Sequence, residues 1–325
     1  SKAYDRHIVR LETNCRQEFD ANILRVADIF VGKNRYYEEL LEKLKTGGQI
    51  SKGLVVEHWT TPEELQAKIR DQLNEVIDRE VGSQAQNNLR GGFNQLFGLY
   101  PEGYVPKKSP QELDLDRFQI ITPYNSDFYG TIGLNQFIRS EYKKDFFPDP
   151  NHPNKLFGHS EKVIRMVNWY QWSRKDKKRV LVLSNGSIGV VCSRRKERTW
   201  FFPEHKTPFQ DVFNEEDFEL AYAITVHKAQ GSEFKNVFVV VPEKRGLLSN
   251  ELLYTALTRS THRVVVFLQR TERESPIEVA RRRTIVLDRN TSLFTKPEEA
   301  SIILEPEPGV RVKSRIEYII YRALM

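Results

Sequence analysis

Short apolar runs that alternate with helical patterns constrain the fold of this chain more than any other feature. Val237–Val241 and Val264–Leu268 each contain five consecutive apolar residues. Between them, Ser249 is a suitable N-cap for a helix that we predict over 249–262. Continuous apolar runs of this length are typical of strands that are buried on both faces. Because strands alternate with helices, we predict an α/β fold with a mostly parallel sheet.

The amino-terminal part repeats this alternation. The predicted strands cover 8–11, 54–59 and 118–122, and the predicted helices cover 19–30, 36–44, 61–81 and 130–142. Thr61-Pro62-Glu63-Glu64 has the capping-box pattern of a helix start. In the last of these helices, Ile132 is expected to face inward with its apolar neighbours. Residues 83–117 are rich in Gly, Asn, Gln and Pro, so we predict an irregular excursion there.

Residues 162–216 have a different pattern, with short β segments only. We predict strands at Val163–Val167, Val180–Leu183, Ile188–Cys192 and Thr199–Phe202. Asn185-Gly186 fits a tight hairpin turn between two of them. The sequence therefore predicts a small all-β insert, after which a strand over 218–225 returns to the main sheet.

Composition narrows the functional classes. The 50 Lys and Arg residues against 44 Asp and Glu give a formal net charge of +6, which permits a polyanionic partner without requiring one. Cys15 and Cys192 are far apart in sequence and no Cys/His cluster has zinc spacing, so we expect reduced thiols and a cytoplasmic location. The apolar runs are far shorter than the roughly 20 residues of a membrane helix.

The segment ITVHKAQGSEF carries an unusual density of polar groups between two apolar runs. Ligands of parallel α/β sheets bind at the carboxyl ends of strands, where we expect this loop to lie. Gly231 allows a ligand to approach the backbone because it has no Cβ. His227 has no acidic neighbour in sequence and no second His at metal spacing, so neither a base nor a metal-ligand role is supported.

The sequence TVHKAQGSEF, followed by NELLYTALTRSTHRVVVF, resembles the last two motifs of superfamily 1 helicases, closest to the RecD-like branch, the exodeoxyribonuclease V alpha-subunit family. Asn14-Cys15-Arg16 and QIITPYNSDFYGTIGLNQFI resemble two earlier motifs in the right order. The resemblance covers about 8–270. It implies a RecA-like parallel sheet with helices on both faces, carrying an inserted small SH3-like all-β domain.

The resemblance also implies a division of the chain. Residues 1–161 and 217–270 would form the second RecA-like motor domain, and 162–216 would be the SH3-like insert. Residues 271–325 would be a C-terminal extension. There, Val310–Leu324 resembles the first helix of a restriction-type nuclease domain, in which Glu317 would be an early metal-site carboxylate.

The nucleotide site implied by the resemblance contains two arginines. Arg259 corresponds to the arginine finger that stabilises charge on the γ-phosphate, and Arg16 to a second γ-phosphate contact, although Cys15 replaces the usual aromatic residue. Gly231 would approach the nucleotide, and Glu233 would accept hydrogen bonds from the ribose. The alternative for Arg259 is a solvated helix face.

The nucleic-acid site implied by the resemblance lies in the same loop and after the strand 118–122, with Gln230 linking it to the nucleotide. The assigned residues are Thr225, His227, Lys228, Tyr124 and Asn125. His227 has a structural alternative, and Tyr124 could stack on a base or cover the edge of the core. The basic runs 174–179 and 194–198 could be solvated faces or, with Trp169, Tyr170, Trp172 and Trp200, a nucleic-acid track.

No G-x-x-x-x-G-K-[ST] phosphate loop and no magnesium-binding Asp-Glu pair after an apolar strand occur in this sequence. In the family both lie in an upstream motor domain, so we expect ATP with Mg²⁺ to be bound mainly there and this piece to be inactive alone. Single-stranded DNA is the expected polymer. An RNA helicase, a helicase–nuclease fusion and a binding module without motor activity are the alternatives.

Overall fold

A computed structural model describes residues 20–31, 38–106, 113–144, 155–174, 177–194, 197–210, 212–244, 246–271, 275–282, 304–307 and 310–312. The chain divides into two compact units, Ser1–Arg283 and Thr284–Met325. In the described part, no helix combines the length and the apolar character needed to cross a membrane. The predicted strand 8–11 and Asn14, Cys15 and Arg16 lie outside the described residues.

The first unit contains seven described helices and thirteen described strands. The helices are α1 Ala21–Val31, α2 Glu38–Thr46, α3 Pro62–Val81, α4 Leu89–Leu96, α5 Thr131–Tyr142, α6 Asn250–Leu257 and α7 Pro276–Arg282. The strands are β1 Gly48–Ser51, β2 Leu54–Trp59, β3 Phe118–Thr122, β4 Glu161–Arg165, β5 Trp169–Ser173, β6 Lys178–Leu183, β7 Ile188–Arg194, β8 Glu197–Phe201, β9 Phe209–Gln210, β10 Phe218–Leu220, β11 Ala223–Thr225, β12 Phe234–Val241 and β13 Ser260–Gln269. Short 3₁₀ helices cover Ser83–Asn88, Leu115–Arg117 and Glu215–Asp217.

The main sheet has six described strands in the order β1-β2-β13-β12-β3-β11. All neighbours are parallel except the edge strand β1, which pairs antiparallel with β2. Val237, Val239 and Val241 of β12 pack with α1, α2, α6 and α7, whereas Phe238 and Val240 pack with α3, α4 and α5. Side chains of one strand thus enter cores on both faces, which confirms the predicted α/β class.

The segment 83–117 contradicts the predicted irregular excursion, because it contains α4 and two 3₁₀ helices. Gly91-Gly92, which resembles a helix breaker in sequence, lies inside α4. A Cβ at Gly92 would lie 2.8 Å from side-chain atoms of Ala85 and of Ile77. Glycine is therefore needed for close packing against α3, not for a turn.

Two further helix predictions are wrong in detail. Ile132 on α5 is 58% exposed instead of facing the core. The helix predicted over 249–262 ends at Leu257 and is capped by Thr258, whose hydroxyl donates to the carbonyl oxygens of Tyr254 (2.9 Å) and Thr255 (3.2 Å). Arg259 therefore lies in the turn before β13 and not on a helix face.

The strand predicted over 218–225 is divided between two sheets. β10 pairs with β4, and β11 pairs with β3 of the main sheet. The change occurs at two consecutive residues: Ala221 N donates to Lys162 O (2.9 Å), while Tyr222 O accepts from Ile120 N (3.0 Å).

The insert region forms a five-stranded antiparallel sheet in the order β10-β4-β7-β8-β9, and β5 and β6 form a separate two-stranded sheet. β4 pairs with β7 and β5 with β6, so Asn185-Gly186 turns the chain without joining two paired strands, contrary to the prediction. There, Gly186 N donates to Arg165 O (2.9 Å) and Gly186 has a φ of +95°. The SH3-like identity of this region and the domain boundaries stay predictions.

The second unit contains β14 Leu304–Glu307 and β15 Val310–Val312, which pair antiparallel. The first residues of the predicted helix Val310–Leu324 are therefore extended. The rest of that segment, including Glu317, lies outside the described residues.

Candidate functional site

The polar loop runs across the main sheet instead of lying at one edge. Residues 226–233 leave the carboxyl end of β11, cross β3 and enter the amino end of β12. Thr225 is opposite Thr122 of β3, whereas Asn236 is opposite Phe118, four residues earlier on that strand. Because β12 begins at Phe234, two residues before Asn236, the loop descends by six strand residues, which is about 20 Å at roughly 3.3 Å per residue. The prediction that the loop lies at the carboxyl edge is therefore correct only for its beginning.

Successive turns hold this loop against the core. Ala229 N donates to Thr225 O (3.0 Å), Gln230 N to His227 O (3.2 Å) and Ser232 N to Ala229 O (3.2 Å). Ala229 and Val226 are buried in the core cluster that contains α1 and α6. The polar side chains between these anchors are consequently directed away from the apolar core.

At the amino edge, the two motifs contact each other directly. Arg259 donates from Nη1 to Ser232 O (2.9 Å) and from Nε to Thr255 O (3.2 Å). Phe234 N donates to Arg259 O (2.8 Å). The guanidinium is therefore fixed against the end of the loop, with only 7% of the residue exposed. A solvated helix face does not describe this position.

Gly231 and Glu233 lie in the same turn as the Ser232 carbonyl that Arg259 binds. Gly231 has a φ of +88°, which favours glycine, and a Cβ built there would meet nothing within 4 Å. Glu233 and Gln230 are exposed. The structure thus brings together a fixed guanidinium, an open backbone turn and a solvent-facing carboxylate.

This set fits one side of a nucleotide. A guanidinium is always charged and suits phosphate oxygens, whereas a carboxylate suits ribose hydroxyls. Within the described ranges, no group of three or more His, Cys, Asp or Glu residues could hold a metal ion. The expectation that another domain binds ATP with Mg²⁺ stays a prediction.

At the carboxyl edge, the predicted nucleic-acid residues begin at Thr225. Its Oγ1 accepts from Lys228 N (3.3 Å), and the residue is buried. His227 is exposed. Lys228 Nζ contacts Glu219 Oε2 of β10 at 2.7 Å, so a phosphate would have to compete with this carboxylate for the lysine.

Tyr124 and Asn125 follow β3 at the same edge. Tyr124 is only 6% exposed; its hydroxyl donates to Lys244 O (2.6 Å) and accepts from Leu247 N (3.1 Å). The ring therefore covers the edge of the core, which favours the structural reading over base stacking. Asn125 is exposed, and its Oδ1 accepts from Thr131 Oγ1 (3.2 Å).

The two basic runs have different environments. Arg198 of the second run is 2% exposed, donates from Nη1 to Phe157 O (3.0 Å) and lies 3.1 Å from Glu215 Oε1. Trp200 is buried in the aromatic core of the insert. Arg198 and Trp200 are therefore structural. In the first run, Arg174, Lys177, Lys178 and Arg179 are exposed.

Sequence reasoning missed the partners that position these residues. Glu219 holds Lys228, and the Ser232 carbonyl holds Arg259. Lys162, which belongs to none of the motifs, is buried with its Nζ 5.8 Å from the centroid of the Phe234 ring. The spacing of four residues between Thr255 and Arg259 was a usable signal for a side-chain contact to the preceding turn. The contact between Lys228 and Glu219 left no signal, because it depends on how the two sheets meet.

Comparison with known proteins gives one family match. Residues 220–267, which include the polar loop and Arg259, match the model of the UvrD-like helicase C-terminal domain.

Several curated proteins are similar over parts of the chain. The uncharacterized protein MJ1519 of Methanocaldococcus jannaschii is 33% identical over 202 residues, covering 53% of this chain and 17% of that protein. The RecBCD enzyme subunit RecD of Buchnera aphidicola subsp. Schizaphis graminum is 29% identical over 198 residues, covering 59% and 31%. The ATP-dependent RecD2 DNA helicase of Deinococcus radiodurans is 40% identical over 83 residues, covering 24% and 11%. The matches thus span less than a third of these relatives.

Among solved structures, the Pif1 helicase from Bacteroides in complex with ADP-AlF3 and ssDNA aligns with a TM-score of 0.42 and 16% sequence identity. The alignment covers 86% of this chain and 55% of that chain.

Proposed function

Because this chain contains a RecD-like C-terminal motor domain of the superfamily 1 helicases, we propose that it is the second RecA-like half of an ATP-driven helicase that moves on single-stranded DNA. Movement from 5′ to 3′ is part of the proposal, as is a cytoplasmic location. An upstream motor domain of the same protein would be its partner. ATP with Mg²⁺ would bind between the two domains.

The observation that carries this proposal is the course of residues 226–233. One loop begins beside the predicted nucleic-acid residues and ends beside the predicted nucleotide residues, about 20 Å away at 3.3 Å per strand residue. A motor needs such a connection, because hydrolysis at one site must change contacts at another.

Each group at the amino edge has a distinct task in this proposal. Arg259, held by Ser232 O and Thr255 O, would direct its positive charge at the γ-phosphate with little loss of side-chain entropy on binding. Glu233 would orient the ribose, and Gly231 would let the backbone come close. Hydrolysis of bound ATP would supply the free energy for movement. Arg16 would add a second phosphate contact.

At the carboxyl edge, His227 and Lys228 would contact the DNA backbone, with Asn125 nearby. Lysines and exposed polar side chains are usual phosphate contacts. Thr225 is better placed to shape the turn, since its hydroxyl accepts from Lys228 N. Gln230 lies in the middle of the loop, where it would link the two ligands.

The experiment that tests the proposal uses the full-length protein. Its ATPase activity is measured with oligo-dT, oligo-rU or no polymer, for wild type and for Arg259→Ala. Loss of an arginine finger is expected to reduce the rate by about 10³- to 10⁵-fold. Lys206→Ala, which changes an exposed cation elsewhere, is the control and should leave the rate unchanged.

Thermal unfolding of each variant separates loss of chemistry from loss of folding. The isolated chain should show no significant ATP turnover. Steady ATP turnover by the isolated chain that Arg259→Ala abolishes would contradict the proposal that the upstream motor domain is needed for hydrolysis. If oligo-rU but not oligo-dT stimulates the ATPase activity of the full-length protein, the substrate is RNA and not DNA.

A further inference from the structure

The β5–β6 hairpin presents an exposed face that is both aromatic and cationic. Tyr170 is opposite Leu181 and Trp172 is opposite Arg179 in the register of the two strands. Side chains alternate along a strand and directly opposite residues share a face, so these four residues lie on one side. We call this side the hairpin platform. All four residues are exposed, and Trp172 is 64% exposed.

The neighbouring aromatic residue anchors the hairpin instead of extending the platform. The Trp169 ring packs edge-on against Phe213 at 4.9 Å and Phe209 at 5.5 Å between centroids. These phenylalanines also pack against the aromatic core of the insert. The hairpin is therefore attached to a rigid support, while the platform projects its two aromatic rings into solvent. Tryptophan is usually highly buried, so this exposure requires an explanation.

The charge around the platform is strongly positive. Residues 169–183 contain five Lys or Arg and one Asp. Arg174, Lys177, Lys178 and Arg179 are exposed, and none of these side chains forms an ion pair with another described residue. Exposed cations that form no ion pair with a described carboxylate favour a polyanion as the ligand.

Exposed aromatic rings next to exposed cations favour single-stranded nucleic acid over a duplex as the polyanion. Bases of a duplex stack on one another about 3.4 Å apart along each strand and present no free face to a protein ring. Tyr170 and Trp172 are two residues apart on one strand, which separates them by about 7 Å. Bases can stack on both rings only in a strand that is unpaired and stretched.

We propose that the hairpin platform binds single-stranded nucleic acid, with bases stacked on Trp172 and Tyr170 and phosphates contacted by Arg179 and by Lys177, which precedes β6. This second site goes beyond the proposed motor role. It lies outside the helicase motifs and requires no nucleotide.

The test measures binding of a fluorescein-labelled oligo-dT to this chain by anisotropy, at several salt concentrations and without ATP. Trp172→Ala is expected to weaken binding by about 5- to 100-fold, the range that corresponds to loss of one stacked base. Trp172→Phe keeps an aromatic ring and should restore most of the affinity. Tyr100→Ala removes an exposed tyrosine outside the hairpin and should bind like wild type.

Arg179→Ala, on the platform face opposite Trp172, addresses the phosphate contacts. It should reduce the slope of log K against log salt by about 0.7, the value for one contact on a single strand. Because Trp172 and Arg179 are both exposed, neither substitution removes core contacts.

Wild-type affinity of Trp172→Ala would overturn the proposal. Equal affinity for a duplex of the same length, or binding to phosphatidylserine-containing vesicles but not to oligo-dT, would overturn it too. None of these results bears on the proposed motor role, which depends on the Arg259→Ala ATPase test in the full-length protein. A failed ATPase test would equally leave the oligo-dT result standing.

Discussion

Replacement of Lys162 by Met is expected to change how the stability of this protein depends on pH. The Lys162 Nζ is buried and donates to Leu115 O (2.7 Å), Phe118 O (2.9 Å) and Gln119 Oε1 (3.0 Å). Burial lowers the pKa of Lys162 to about 7, and the attraction of Asp116 and Asp114 offsets only part of this effect. The neutral amine is therefore the form that the folded protein prefers above neutral pH.

Lys143 is in a similar position. Its Nζ is buried and donates to Ser160 O (2.8 Å) and Ser160 Oγ (2.9 Å), as well as to Asn94 Oδ1. Burial lowers its pKa to about 7 as well, with a partial offset from Glu161. Each lysine thus differs from the unfolded chain, in which the ordinary pKa is 10.5.

The sign of the effect follows from proton binding. Between pH 7 and 10.5 the unfolded chain holds more protons than the folded protein, so the free energy of unfolding rises with pH. From pH 7 to pH 9 each lysine should add about 2 kcal/mol, at 1.36 kcal/mol per pKa unit. Above pH 9 Cys192 and Tyr222 oppose this gain, because burial raises the pKa of Cys192 to about 12 and also raises the pKa of Tyr222, so the unfolded chain loses these protons first.

Urea titrations at pH 7, 8 and 9, followed by tryptophan fluorescence, measure this dependence. Wild type should gain about 4 kcal/mol over this range and Lys162→Met about half as much. Lys206→Met, a change at an exposed lysine, should match wild type. An equal gain for wild type and Lys162→Met would refute the reasoning. If that variant does not fold, Lys143→Met provides the same comparison.

Two other substitutions test the candidate site. Gly231→Ala should lower the free energy of unfolding by about 1 kcal/mol through backbone strain alone, because its φ is +88° and a Cβ there meets no other atom. Gly246→Ala, also in open space but without a positive φ, should have the stability of wild type in the same thermal unfolding assay. Glu219→Gln should free Lys228 from its ion pair and steepen the slope of log K against log salt for oligo-dT binding by up to about 0.7. Glu216→Gln makes the same charge change at an exposed site and should leave this slope unchanged. Identical slopes for the two variants would mean that Lys228 does not contact the polymer.

The sequence was sufficient to predict elements whose local pattern and burial agree. β12 and β13 are buried on both faces, so they appear as continuous apolar runs, and the Thr61 cap of α3 is formed as its motif indicates. α4 was missed because Gly91-Gly92 has low helix propensity, and the close packing that requires Gly92 is a tertiary contact. The burial of Lys162 is equally invisible, since its acceptors lie more than forty residues away in sequence.

The location of the site depended on strand register, which no motif contains. β11 and β12 both run parallel to β3, so the loop between them must descend the sheet before β12 can begin. Eight residues reach at most about 28 Å when fully extended, and the descent takes about 20 Å. Turns at Ala229, Gln230 and Ser232 use much of the remaining length. Because the loop has little spare length, a displacement of the turn that Arg259 contacts would also move His227 and Lys228 at its other end. The short connection explains why the prediction of a single edge was wrong, and in the proposed function it would couple the two ligands.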